Sequence, residues 1–265
     1  MLASTLLGLV GLYLGLVFLG YFGQRRMMYP APRAILGPRA RGAELWRLDQ
    51  GKGHTVYALY AAPPPGAPTL VYFHGNGEQL SDIAGLVEQF AARGVGVLGV
   101  EYPGYGLGRD GVTTEANVYA DTERALARLR ELGVPRERTV LVGHSLGSGV
   151  AAEMAARGHA VRLVLLSPYT SMVDMARRVA FMLPVALLVR DRYDTLAKAP
   201  RLELPVLIVH GARDDIVPVA MGRRLGASLY NARVEIIADG GHNDLFDLPG
   251  RDLVGQIVAF ARGQA

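Results

Sequence analysis

Residues 139–149 read TVLVGHSLGSG. A run of aliphatic and β-branched side chains ends at Gly143, and small residues take over from Gly147. This reads as a buried strand, one sharp turn, and a helix that packs closely on the sheet. The turn is a G-x-S-x-G pattern built from Gly143, Ser145 and Gly147. It places a serine on a strained strand-to-helix bend with its hydroxyl exposed. Side chains at the two glycine positions would collide with the neighbouring strand and helix. Ser148, Gly149, Ala151 and Ala152 let that helix approach the sheet.

Outward from this bend the chain alternates short apolar runs with longer amphipathic ones. Strands are expected over residues 44–48, 55–60, 69–73, 95–100, 139–142, 161–166, 205–209 and 233–237. Helices are expected over 82–93, 115–132, 146–157, 172–181, 220–229 and 251–261. Ser81 and Thr114 read as N-caps, each followed by an acid in the first turn. Gly133 followed by Pro135 stops the long helix. Such alternation specifies a three-layer α/β domain with a mostly parallel sheet. The first strands lack intervening helices, which predicts an antiparallel start. The expected domain covers 43–265, with a short cap insertion around 168–204. Residues 179–189 (VAFMLPVALLV), broken by Pro184, either pack on the sheet, wall an acyl pocket, or form a lip dipping into lipid.

A serine hydroxyl is a weak nucleophile at neutral pH and needs a base, and the base needs an acid to fix its tautomer. In a strand–turn–helix setting the acid and then the histidine follow on loops after later strands. PVLIVHGARDDIVP (205–218) supplies Asp214 and Asp215; RVEIIADGGHND (233–244) supplies His242. Both loops leave the carboxyl ends of strands, where open α/β sheets hold ligands. The oxyanion of an attacked carbonyl needs two N–H donors. One is the Leu146 amide at the start of the nucleophile helix. The other is the Asn76 amide in the glycine-rich turn of LVYFHGNG (70–77), whose side chain is either structural or a further donor. His74 and His210, each ending a strand beside a glycine, read as hydrogen-bonded structural residues. His144 is expected to point away from Ser145, and His54 and His159 to lie at the surface or a strand edge.

Other chemistries are excluded. There is no cysteine, hence no thiolate nucleophile, thiolate metal site or disulfide. No HExxH-type spacing offers a metal site. The lysine and Ser/Thr of a phosphate-binding P-loop are missing after 70–77. No cofactor is expected.

The charge is unevenly spread. Residues 1–24 carry no charged side chain, and residues 25–52 hold seven basic against two acidic ones, a net +5. The whole chain is +4, which leaves −1 for residues 53–265. The basic pI thus describes a collar on a nearly neutral body, and a nucleic-acid-binding face is disfavoured. Residues 5–22 (TLLGLVGLYLGLVFLGYF) match the roughly 20 apolar residues that a bilayer-spanning helix needs. A cleaved signal peptide would show a basic start, a shorter apolar run and a small-x-small site. The expectation is a single-pass anchor over 1–24, a basic juxtamembrane segment over 25–42, and a body on the cytoplasmic side by the positive-inside rule.

With FHGNG (73–77), EYPGYGLG (101–108), GHSLGSG (143–149), SPYTS (167–171), RYDTLAK (192–198) and PVLIVHGARDDIVP in place, the chain resembles the α/β-hydrolase superfamily. It is most similar to the small membrane-anchored serine hydrolases that include protein depalmitoylases and lysophospholipid lipases. The resemblance runs from the anchor through QRRMMYP (24–30) to the last helix. It implies Ser145 as nucleophile, His242 as base, and Asn76 and Leu146 as oxyanion donors. Asp214, three residues after Gly211, is implied as the acid, with Asp215 as fallback. It implies an ester or thioester of an acyl or lipid-like group as substrate, through an acyl-enzyme. A peptidase with the same groups and a silent membrane scaffold are the alternatives. The sequence departs from the family pattern at Glu78, Gln79 and Gly108. Glu78 sets a carboxylate beside the oxyanion turn, which weighs against anionic substrates.

Overall fold

The computed structural model describes residues 2–32, 37–49 and 53–264; Arg33 and Lys52 of the basic segment lie outside them. The helix α1 (Leu2–Met28) precedes β1 (Ala43–Leu48), β2 (Val56–Ala61), β3 (Thr69–Phe73), α2 (Ala84–Ala92), β4 (Gly96–Val100), α3 (Glu115–Glu131) and β5 (Thr139–His144). Then come α4 (Leu146–Ala156), β6 (Arg162–Leu166), α5 (Met172–Val179), α6 (Val185–Leu188), α7 (Thr195–Lys198), β7 (Val206–Gly211), α8 (Val219–Ser228), β8 (Ala232–Ile237) and α9 (Leu253–Ala261). The strands form one sheet in the order β1-β2-β4-β3-β5-β6-β7-β8. β1 and β2 pair antiparallel, β2 pairs antiparallel with β4, and every later pairing is parallel. The antiparallel start expected from helix-free strands is thus present.

Alternation along each strand builds two cores. Val71, Phe73, Leu141, Leu163 and Leu165 face Leu126 and Leu129 of α3, Val150 and Met154 of α4, and Leu225 of α8. Leu70, Tyr72, Val140, Val142 and Val164 face Val87 and Phe90 of α2 and Val254, Ile257 and Val258 of α9. β3, β4 and β5 are buried along their whole length, which explains their unbroken apolar sequences.

Helix boundaries follow local chemistry. Thr114 caps α3 by accepting from the Asn117 amide, as expected. Gly133 follows that helix at φ +80°, a left-handed conformation that suits glycine at a helix end. Ser81 is not a cap. The Gln79 amide donates to the Asp82 carboxylate, and the Asp82 amide to the Gln79 carbonyl. That turn occupies the first residues expected to be helical, so α2 starts at Ala84 behind Ile83. Ser171, Asp194 and Asp252 cap α5, α7 and α9.

Two parts depart from a plain three-layer body. α1 is longer than its apolar core and has no buried residue. It is long and apolar enough to cross a membrane. α5, α6 and α7 form the insertion between β6 and β7, and residues 179–189 do not pack on the sheet. Val185 and Val189 form a small separate cluster with Val173, while Val179, Phe181, Met182 and Leu187 are exposed. Pro184 and a chain turning from α5 into a helix as short as α6 keep this segment off the strands.

The closest backbone approach lies under the serine bend. A Cβ on Gly147 would sit 2.1 Å from the Phe73 carbonyl oxygen of β3. Gly147→Ala should therefore destabilise the protein by about 2 kcal/mol or more, read as a lowered urea midpoint. Gly85→Ala, where a Cβ in α2 meets nothing within 4 Å, should instead raise stability by about 0.5–1 kcal/mol.

Candidate active site

Ser145 sits between β5 and α4 at φ 50°, ψ −116°, a conformation costing about 1–3 kcal/mol for a non-glycine residue. The crowding of Gly143 and Gly147 against each other and against β3 enforces it. The Ser145 amide is held by the Leu166 carbonyl of β6. The hydroxyl is thereby aimed off the sheet's carboxyl edge toward the loop after β8.

There, His242 Nε2 lies 2.9 Å from Ser145 Oγ, and His242 Nδ1 lies 2.7 Å from Asp214 Oδ2. An Nδ1–H that donates to the carboxylate leaves Nε2 as an acceptor for the serine proton. The other Asp214 oxygen accepts from the Ile216 and Val217 amides at 3.0 and 2.7 Å. Burial alone would raise the Asp214 carboxyl, but hydrogen bonds from His210, His242 and the Val217 amide outweigh it and hold it well below the usual carboxylate range. His210 Nε2 donates to the Val217 carbonyl and lies 3.2 Å from Asp214, so this histidine braces the acid. Asp215 points to solvent and the histidine meets Asp214 alone.

Asn76 and Leu146 line one cleft with Ser145. The Leu146 amide is the first of α4 and has no carbonyl partner within the helix. The Asn76 side chain is structural. Its Nδ2 donates to the Met28 carbonyl at 2.6 Å, and its Oδ1 accepts from the Tyr105 hydroxyl at 2.5 Å. The cleft encloses about 380 Å³ and runs away from Ser145 between Tyr169, Met172 and Val189 of the body and Gly20, Gln24 and Met27 of α1. Among the described residues no carboxylate lines it.

The comparisons with known proteins agree with this architecture. The sequence family described as serine aminopeptidase, S33, matches residues 65–193. The chain is 32% identical over 246 residues to an uncharacterized protein of Mycobacterium tuberculosis, spanning 89% of this chain and 86% of that one. It is 30% identical over 206 residues to human alpha/beta hydrolase domain-containing protein 17B, spanning 76% of this chain and 70% of that one. A crystal structure of Paleococcus ferrophilus monoacylglycerol lipase superposes with a TM-score of 0.62 at 22% identity, over 79% of this chain and 99% of the lipase. The fold and the matched family define a hydrolase. The chain belongs to the α/β-hydrolase superfamily.

The partners of several residues around the site had no sequence signal. His74 is fully buried; its Nδ1 donates to the Gly75 carbonyl and its Nε2 faces Glu101 at 3.2 Å. Burial opposes a charge on His74, yet Glu101 offsets it and its pKa is raised. Glu101 also accepts from the Leu80 amide, so this pair pins both ends of the oxyanion turn. His54, just before β2, and His159 are half-buried and pair with Asp121 and Glu123 on α3. His144 points away from Ser145, as expected. Its Nε2 donates to the His242 carbonyl at 3.0 Å and its Nδ1 faces Glu78 at 3.6 Å. Glu78 also accepts from the Gly75 amide. One carboxylate therefore connects the oxyanion turn to the residue that holds the His242 loop.

The Glu78–His144 pair has a definite pH signature. Burial would raise Glu78, but His144 and the Gly75 amide bring it down to about 2. Burial would lower His144, but Glu78 and the His242 carbonyl raise it above 6.5. A lowered carboxyl contributes stability that is lost as pH falls through its folded value, and a raised histidine contributes stability lost as pH rises through its own. The stability difference between wild type and Glu78→Gln should thus peak at about pH 5–6, shrinking toward both pH 3 and pH 9. Urea midpoints at those values check it.

Proposed function

We propose that this protein is a membrane-anchored serine hydrolase that cleaves an ester or thioester of a long acyl chain. The observation carrying this reading is that Ser145 lies at the inner end of an apolar cleft whose far wall is the membrane-type helix itself. A cleft of that lining binds a hydrocarbon chain through burial of apolar surface.

The proposed chemistry follows from the distances. Ser145 Oγ attacks the acyl carbonyl carbon while His242 Nε2 takes its proton. The carbonyl oxygen becomes an oxyanion held by the Asn76 and Leu146 amides; one such donor is worth about 3–4 kcal/mol to the transition state. Asp214 keeps Nδ1 protonated and stabilises the imidazolium. The imidazolium gives its proton to the departing alcohol or thiol, leaving an acyl-Ser145 ester. Water, deprotonated by His242, then releases the acid and restores the serine.

The peptidase reading has the description of the matched family behind it. An aminopeptidase must neutralise a free ammonium group beside the scissile carbonyl, and the cleft next to Ser145 offers no carboxylate for it. The proposal puts the body on the cytoplasmic side, supported by Arg25, Arg26, Arg39 and Arg41 after the span.

Ser145→Ala should abolish labelling by a fluorophosphonate probe and reduce ester turnover on the order of a million-fold. Asp214→Asn should cost about four orders of magnitude in kcat. Along a series of p-nitrophenyl esters, kcat/KM should rise roughly fourfold per methylene while the chain fills the cleft, from about 0.8 kcal/mol per buried CH₂. Faster cleavage of aminoacyl anilides than of these esters would favour the peptidase. An alkaline phosphatase fused at the C-terminus should be inactive; an active fusion reverses the topology.

A further inference from the structure

α1 and the cap insertion run side by side in register. The Tyr13 hydroxyl donates to the Met182 carbonyl at 3.3 Å. A Cβ on Gly20 would lie 3.5 Å from Leu183 Cδ1. Gln24 donates to the Leu188 carbonyl at 3.0 Å and accepts from the Arg190 amide at 2.9 Å. Arg25 pairs with Asp191 at 2.9 Å. From Tyr13 to Arg25 is twelve residues, about 18 Å of helix rise. The cap chain therefore descends along α1 from the charged end of the helix to near its middle.

Composition changes at the matching level. No charged residue occurs between Arg178 and Arg190. Arg190 stands where α1 ends its own apolar run: its amide donates to Gln24 and its guanidinium lies 5.7 Å from the centre of the Tyr21 ring. Beyond it Phe181 and Leu187 are 79% and 83% exposed, and Val179 and Met182 are similarly open. In water, such an exposed apolar cluster would be costly. In hydrocarbon the costly groups are instead unpaired backbone polar atoms. Here the Tyr13 hydroxyl takes the Met182 carbonyl, and the Leu183, Val185, Leu187 and Leu188 amides donate to carbonyls within residues 180–184.

We infer that the cap tip, residues 179–188, is a second membrane-embedded element lying in the bilayer hydrocarbon beside α1, and that the cleft to Ser145 opens sideways into lipid between the two. The inference rests on the reading of α1 as a membrane anchor and specifies how the proposed substrate arrives. The outer end of the cleft is formed by Gly20, Gln24 and Met27 on one side and Val179, Ala180 and Leu183 on the other. Those α1 residues lie within about 8 Å, along the axis, of the Arg25 level, where ester and thioester groups of membrane-resident acyl chains lie. An acyl chain can pass from lipid to Ser145 through that gap without crossing water.

The absence of cysteine makes the test direct. Full-length protein carrying Phe181→Cys, Leu187→Cys, Leu12→Cys or Tyr230→Cys is labelled with bimane and reconstituted in phosphatidylcholine vesicles containing acyl-chain nitroxide lipid. Labels at 181, 187 and 12 should be quenched by the nitroxide lipid and shielded from aqueous iodide. A label at 230, which is 93% exposed on the body, should show the reverse. Quenching at 12 but not at 181 and 187 overturns the embedded tip and leaves the anchor standing. No quenching at 12 overturns both. Neither readout needs catalysis. In the functional arm, Phe181→Asp should leave hydrolysis of p-nitrophenyl acetate unchanged and slow a long-chain ester presented in vesicles on the order of tenfold or more. Equal loss on both substrates, or none on the vesicle substrate, overturns entry from lipid.

Discussion

The close passage of α4 over the end of β3 is the constraint on which the site depends. Two backbones meet there with no room for a side chain, so Gly143 and Gly147 are fixed by space and not by flexibility. The same contact forces Ser145 into its strained conformation and leaves the first amide of α4 unpaired. The placement of Ser145 and the open amide of Leu146 beside it are thus two results of a single packing event. The strain is borne by the parallel strands on either side, β3, buried along its whole length, and β6, buried from Leu163 onward.

Around that bend, the loops at the carboxyl edge are held by carboxylates, buried at Asp214, Glu101 and Asp191 and partly exposed at Glu78. Asp214 receives two amides and two histidines, Glu101 holds His74, Glu78 links Gly75 to His144, and Asp191 joins Arg25 to the start of α3. Buried pairs of this kind contribute little net stability against an apolar replacement, because desolvation opposes their attraction. Removing one partner alone is costly, since the other is left charged and buried. The network therefore selects one loop arrangement more than it adds to the free energy of folding.

Sequence legibility followed sequence distance. The sheet, its antiparallel start and the serine bend were readable because each is encoded within a dozen residues: a strand run, a glycine pair, a cap. The order of motifs picked out Ser145, Asp214 and His242, and the structure brings these three together. The α2 cap failed because Asp82 closes a turn on Gln79 where a helix was expected to begin. The Arg25–Asp191 pair spans 166 positions, and nothing in either neighbourhood announces the other. Residues 179–189 were ambiguous for a different reason. An apolar run has the same composition whether it faces a sheet, a ligand or lipid, and only its neighbours distinguish them.

The Asn76 side chain holds the carbonyl of Met28, the last residue of α1, while Asn76 itself lines the same cleft as Ser145. Tyr29, the next residue, is buried against Tyr193. Helix α1 therefore enters the body without a tether, and Ser145 sits at a set height above its end. On the membrane-anchored reading, selection becomes a matter of altitude. A scissile bond is reached because it lies at one level above the bilayer, whatever else the molecule carrying it contains, and bonds a few ångströms higher or lower pass by untouched.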